Sequence, residues 1–201
     1  MTKLESWFDF GSPNSYFTYK VLPETEQRLR VNFTRKPALL GGIFKATSNQ
    51  SPFFAFAGIS AKLDYTRLEM MRFVRHHGLS DFAMNQHFPV NTLLAMRGAV
   101  AAEMAGELEA YTACVMKAMW EDGAKIDDPG VLLGALAAAG LDAAYYSEKA
   151  SDPAVKAALM EATQEAIDRG MFGVPTFFVG DEMFFGKDSL AAVEKEISLQ
   201  K

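Results

Sequence analysis

Two serines, Ser12 and Ser15, bracket Pro13 and Asn14 in the stretch FDFGSPNSYF, where an apolar segment ends in Gly-Ser-Pro and passes directly into a helical pattern. Ser12 takes the cap position and Pro13 the first helical position, where a missing N–H costs nothing. A helix start presents unpaired N–H groups and a partial positive charge, so an anion or a thiolate placed against Ser12 would be stabilised. The same residues are also what an ordinary Ser-Pro helix cap looks like. A second candidate is FGVPTFF, residues 172–178, in which Pro175 opens an apolar run at a strand position that needs no N–H partner. A cis Val174–Pro175 bond would turn the Val174 N–H and C=O outward as an edge for an extended peptide; a trans bond would make an ordinary strand entry.

Other reactive residue types carry less. His76 and His77 are adjacent before Gly78, where cationic His suits a helix end, and His87 stands alone. With no His-x-x-x-His and no Cys partner, no metal site is expected. Cys114, the single cysteine, lies on an apolar helical face and reads as core. It excludes an internal disulfide and a two-cysteine redox cycle, in keeping with a reducing compartment. The methionines on the helices, Met70, Met71, Met104, Met116 and Met119, read as packing.

The elements that must position these residues follow from pattern. KLESWFDF reads as a buried strand and SPNSYFTYKVL as a helix, which Pro23 is expected to kink or interrupt before ETEQRLR resumes it. VNFTRKPAL reads as a second strand, giving a right-handed βαβ unit if the two strands are parallel. GGIFKATSNQSPFFAFAG has a loop-like mix of Gly, Ser, Asn and Pro, with enough Phe to cover an apolar ligand. From Ile59 to Arg169 nearly everything is helical by periodicity, and several segments start at Asp or Asn and end at Gly. The chain then returns to a hairpin, VPTFFVG-DE-MFFG, and a closing amphipathic helix with Asp188 near its start. The expected fold is α/β: a thioredoxin-like domain of order β-α-β … β-β-α over residues 1–40 and 170–201, interrupted by an all-helical domain over residues 41–169.

The 201-residue chain is 49% hydrophobic and 22% charged, ordinary globular composition, and its apolar runs are too short to span a bilayer. Net charge is −5, which leaves no basic footprint for nucleic acid. MTKLESWFDF has neither a signal-peptide core nor an Arg-rich presequence, so a cytoplasmic location is expected.

Strand, S-P-x-S, helix, a long helical insertion, G-V-P-T and then VGDEMFFGKDSL resemble the DsbA-like thioredoxin superfamily, and within it the branch of the 2-hydroxychromene-2-carboxylate isomerases and kappa-class glutathione transferases. The resemblance spans essentially the whole chain. It implies that Ser12 and Ser15 stand where a Cys-x-x-Cys oxidoreductase has its cysteines, and that the thiol comes from bound glutathione, with Ser12 hydrogen-bonded to its sulfur. It further implies that Val174, beside a cis Pro175, pairs main chain to main chain with the glutathione cysteinyl part. Gly186, Lys187 and Asp188 would hold the γ-glutamyl end. Here the chain has Lys187-Asp188-Ser189 where the family commonly has Gln-Asp-Arg, which removes an Arg and leaves Lys187 as the replacement point charge.

For a second substrate, a small aromatic or electrophilic carboxylate, the resemblance places a pocket between the two parts, near Asn49, Lys62 and Asn91. Lys62 would bind a carboxylate and Asn91 would orient a hydroxyl or carbonyl; the alternatives are a solvated helix lysine and a helix-cap asparagine. The implied activity is glutathione-dependent cis–trans isomerisation of the 2-hydroxychromene-2-carboxylate type, by a homodimer. The alternatives are kappa-like glutathione transfer or peroxide reduction, and a non-catalytic glutathione- or peptide-binding module.

Overall fold

The computed structural model describes residues 2–200. Strand β1 (Leu4–Phe8) is buried along its whole length and occupies the middle of a four-stranded sheet of order β2-β1-β3-β4. β2 (Thr34–Pro37) runs parallel to it, with Trp7 opposite Lys36; β3 (Thr176–Val179) runs antiparallel, with Trp7 opposite Thr176. β4 (Glu182–Phe185) closes the antiparallel hairpin on β3, so the sheet is mixed. Strand alternation divides the core between the two faces. Phe177 and Val179 pack with Leu4, Leu22, Val193 and Ile197, under α1 (Pro13–Leu29) and α10 (Leu190–Leu199). Phe178 packs with Trp7, Ile43, Ala166 and Met171, under α2 (Leu40–Thr47) and α9 (Pro153–Asp168).

The remaining helices are α3 (Pro52–Ala55), α4 (Ser60–His76), α5 (Leu93–Ala105), α6 (Leu108–Trp120), α7 (Pro129–Ala138) and α8 (Ala143–Lys149). Asp128, Asp142 and Asp152 cap α7, α8 and α9 with their side chains, as the Asp-led starts predict. The largest apolar cluster belongs to these helices and reaches back to Phe8, Phe10, Tyr16 and Phe17. α5 is its axis: Ala95, Met96, Gly98, Ala99, Val100, Ala101 and Ala102 are all buried. Small residues let α6 approach closely, and a Cβ on Gly98 would lie 1.9 Å from the Tyr111 hydroxyl.

Two local expectations are corrected. α1 is not interrupted at Pro23 but continues through it, and Val21, Leu22 and Thr25 on both sides of it are buried. The Gly-, Ser- and Phe-rich stretch after β2 is not simply a loop but forms α2 and α3. In α2 the lack of a side chain at Gly42 suits close packing on α9, where a Cβ on Gly42 would lie 3.0 Å from Thr163. Among the described residues no helix is long and apolar enough to cross a membrane, and no cluster of His, Cys, Asp and Glu has metal-site geometry.

Candidate functional site

β1 delivers its last residues, Asp9-Phe10-Gly11, directly to the head of α1. Their path is fixed by the Trp120 indole N–H, which donates to the Phe10 carbonyl at 2.8 Å, and by the Ser12 N–H, which donates to the Asp9 carbonyl at 3.2 Å. Ser12 is the N-cap of α1, and Pro13 follows at the first turn. The Ser12 hydroxyl oxygen accepts from the Ser15 N–H at 3.2 Å, and the hydroxyl donates to the Val174 carbonyl at 3.1 Å. Cap and candidate site are therefore one residue: Ser12 satisfies the helix with a lone pair and keeps its one proton for the opposite strand entry.

The Val174–Pro175 peptide bond is cis. The approach to it is tight, because a Cβ on Gly173 would lie 2.9 Å from the Phe185 ring, and Thr176 closes the turn by donating its hydroxyl to the Gly173 carbonyl at 2.8 Å. Val174 is buried, and its N–H makes no hydrogen bond among the described residues. An unpaired backbone donor beside Ser12 is where a ligand's carbonyl fits, since buried N–H groups are nearly always satisfied. The Pro175 carbonyl accepts from Gly186 N–H at 2.9 Å, which places Gly186, Lys187 and Asp188 at the far side of the same crevice. Gly186 takes φ +87°, backbone that a side chain would strain, to start the 3-10 turn Lys187–Ser189 ahead of α10.

Lys187 behaves differently from a ligand-facing point charge. Its side chain is 1% exposed, its ammonium is paired with Glu69 of α4 and with Asp188 at 2.8 Å, and it lies 4.9 Å from the centre of the Phe73 ring. The cation expected to replace the missing Arg is thus engaged by two carboxylates and ties the end of the sheet to the helical part. Asp188 itself is largely exposed, 74% at its side chain, and is available to an ammonium group. An open groove lined by Val21, Phe73, His77, Lys187 and Asp188 continues from here. A second open concavity is lined by Glu69, Arg72, Phe73, Arg75 and His76 of α4 and does not include Ser12.

Of the three candidates for a second substrate, the structure brings Asn49 to the site: its amide nitrogen donates to the Phe172 carbonyl at 2.8 Å, two residues before Val174. Asn91 is exposed and its oxygen accepts from Leu93 N–H at 3.0 Å, a turn at the start of α5. Lys62 is exposed, with its ammonium 4.2 Å from the centre of the Phe56 ring. Sequence reasoning passed over Asp9, a carboxylate inside an aromatic strand end, and Glu69, which no local signal marks. It also did not foresee that the buried Ser15 hydroxyl and the Asn14 side-chain oxygen have no hydrogen-bond partner, although both flank Ser12. Cys114 is half-buried and burial pushes its thiol up, as suits an inert core cysteine.

A model of the DsbA-like thioredoxin domain matches residues 3–198. The chain belongs to the DsbA-like thioredoxin family. Within it, the chain is 29% identical over 196 residues to the 2-hydroxychromene-2-carboxylate isomerase of Pseudomonas sp. (strain C18), covering 96% of this chain and 89% of that one. It is 26% identical over 205 residues to glutathione S-transferase kappa 1 of Homo sapiens, covering 93% and 87%. A solved 2-hydroxychromene-2-carboxylate isomerase superposes with a TM-score of 0.84 at 26% identity, over 98% of this chain and 95% of that one. A probable DsbA oxidoreductase from Streptomyces coelicolor shares the fold with a TM-score of 0.71 at 19% identity. At the head of α1 the chain carries Ser12 and Ser15 and no cysteine, so it supplies no thiol of its own at that point.

Proposed function

We propose that this DsbA-like protein is a glutathione-dependent isomerase of the 2-hydroxychromene-2-carboxylate type, acting in the cytoplasm, where glutathione is kept reduced. The observation that carries the reading is the meeting of Ser12, at the positive end of α1, with the Val174 edge: a hydroxyl donor beside an unpaired N–H and a carbonyl. Those groups fit glutathione at its sulfur and at its cysteinyl backbone. Bound glutathione supplies the chemistry, a thiolate that adds reversibly to the conjugated carbon of an enone-acid and leaves once the former double bond has rotated.

The chain's own residues do the rest. Ser12 redirects its one proton from the Val174 carbonyl to the sulfur and, with the α1 start, favours the charged form. The Val174 carbonyl, so released, accepts a ligand N–H while its own N–H donates, giving a two-bond strand-like pairing. Gly186 and Asp188 hold the γ-glutamyl end, Asp188 answering the ammonium; Lys187 contributes by fixing the turn. Asn49 places an amide beside this edge, and the exposed Lys62 and Asn91 stand on the helical side for a carboxylate and a hydroxyl of the substrate.

The test is an absorbance assay of ring-opened 2-hydroxychromene-2-carboxylate with and without glutathione. Formation of the trans benzylidenepyruvate only with glutathione supports the reading; no isomerisation with glutathione at saturation overturns it. The likeness to glutathione S-transferase kappa 1 favours glutathione transfer as the second reading, distinguished by a conjugate as product in place of an isomerised keto acid.

A further inference from the structure

The one fully buried carboxylate next to Ser12 has no role in the chemistry above. Asp9 is 0% exposed, and among the described residues no cation pairs with it. Its two oxygens face donors from three elements. Oδ1 accepts from Gly11 N–H at 2.7 Å, in the turn that presents Ser12. Oδ2 accepts from Leu40 N–H at 2.8 Å, the first residue of α2. Thr92, at the head of α5, does not cap its own helix with its side chain, and its hydroxyl helps pull the Asp9 carboxyl down. Thr92 also packs on the turn: a Cβ at Gly11 would lie 3.1 Å from its methyl and 3.3 Å from Asp9 Oδ1.

A buried charge without a counter-ion is costly, and an apolar residue at this point of the strand would remove that cost. Burial pushes the Asp9 carboxyl up and prevails, holding it above the usual carboxylate range against the hydrogen bonds that pull it down. Both N–H groups can only donate, so each Asp9 oxygen keeps a lone pair for one of them, while the Thr92 hydroxyl can donate to a carboxylate or accept from the acid. The starts of α2 and α5 are converged on the residue three positions before Ser12, and both belong to the helical part of the molecule.

We propose that Asp9 is the positioning residue of the Ser12 centre: its carboxylate clamps the Gly11–Ser12 turn to the first residues of α2 and α5 and so aims the Ser12 hydroxyl at the bound sulfur. The catalytic consequence rests on the glutathione reading given above; the clamp itself does not. Asp9→Asn puts an amide N–H₂ against an N–H donor and breaks one arm of it. Thr92→Val removes one donor while keeping the methyl on Gly11, and serves as the milder variant should Asp9→Asn fold poorly.

Two measurements test the proposal. In the free protein, amide exchange of Gly11 and Leu40 quickens in Asp9→Asn while the β3 amides keep their protection; unchanged protection at both amides overturns the clamp whether or not glutathione binds. With glutathione, kcat falls about tenfold to a hundredfold in Asp9→Asn, as for a small misplacement of a reacting group, and about two- to tenfold in Thr92→Val, as for one lost hydrogen bond, with KM for glutathione little changed. The sign of the thiol titration separates this from a simple charge effect. Loss of aim raises the pKa of the bound thiol, whereas deleting a negative charge that merely sits nearby lowers it. A lowered thiol pKa in Asp9→Asn, or an unchanged kcat in both folded variants, overturns the proposal.

Discussion

The ion pair between Lys187 and Glu69 makes an asymmetric prediction about which partner holds the structure. Lys187 is 1% exposed at its side chain, whereas Glu69 is 32% and Asp188 74% exposed. Replacing Lys187 by Met leaves two carboxylates that water already reaches, and fills the same space with an apolar chain against Phe73. Replacing Glu69 by Ala leaves a buried ammonium with Asp188 as its remaining carboxylate, on a helix that tolerates Ala well. A lost hydrogen bond to a charged group is worth about 1.5–3 kcal/mol, so Glu69→Ala costs about that much, and Lys187→Met costs less than about 1 kcal/mol because its partners are rehydrated. At about 2–4 °C per kcal/mol for a chain of this length, Tm falls by roughly 3–12 °C in Glu69→Ala. Calorimetry with urea unfolding of both variants gives the comparison. Since the Lys187 cation is already engaged by two carboxylates and faces no ligand, Lys187→Met also leaves glutathione affinity within about twofold. An equal or larger loss of stability in Lys187→Met, or a large loss of glutathione affinity there, refutes the reasoning.

Three further outcomes follow from particular contacts. Ser15→Ala leaves stability within about 0.5 kcal/mol and the glutathione thiolate signal unchanged, because the hydroxyl it removes has no partner; urea unfolding and ultraviolet titration check this. Gly98→Ala forces a methyl group into Tyr111 and lowers Tm by an amount corresponding to about 1–3 kcal/mol or more, without a direct effect on the Ser12 turn. Burial pushes Glu26 up, but the two Arg35 hydrogen bonds at 2.8 Å and the Phe33 N–H outweigh it and hold its carboxyl below the usual range. A depressed carboxylate stabilises the fold above its unfolded pKa, about 4.3, and that contribution is lost as pH falls through the lower folded value. The Tm difference between wild type and Glu26→Gln should therefore be full at neutral pH and shrink below about pH 4.

What the chain disclosed by pattern is local. Ser12-Pro13 gave away its cap because a β-region Ser, followed by Pro, has few other uses, and Asp128-Pro129 and Asp152-Pro153 announced their helices for the same reason. The turn residues between two apolar runs marked the last hairpin one position late: the pattern places the turn at Asp181-Glu182, whereas Glu182 already pairs with Val179. Pro23 suggested an interruption that does not occur: the helix continues through it, with buried residues on both flanks. α2 was hidden because its two glycines are poor helix formers, and the close packing that Gly42 permits is against Thr163 of α9, 121 positions away. The pairing of Lys187 with Glu69, 118 positions apart, and the convergence of Gly11, Leu40 and Thr92 on Asp9 are likewise tertiary facts. The Gly-Lys-Asp stretch drew attention to the right turn, but the direction of its lysine depended on a helix that only folding brings there.

The central claim is that Ser12 at the head of α1 stabilises a thiolate that the protein does not itself supply. Ultraviolet difference absorbance of bound glutathione, titrated with pH in wild type and Ser12→Ala at saturating glutathione, tests it most directly. A hydrogen bond to a charged group worth about 1.5–3 kcal/mol, at 1.36 kcal/mol per pKa unit, predicts a bound-thiol pKa higher by roughly one to two units in Ser12→Ala. The same thiol pKa in both proteins, or no thiolate signal in wild type, would contradict the account.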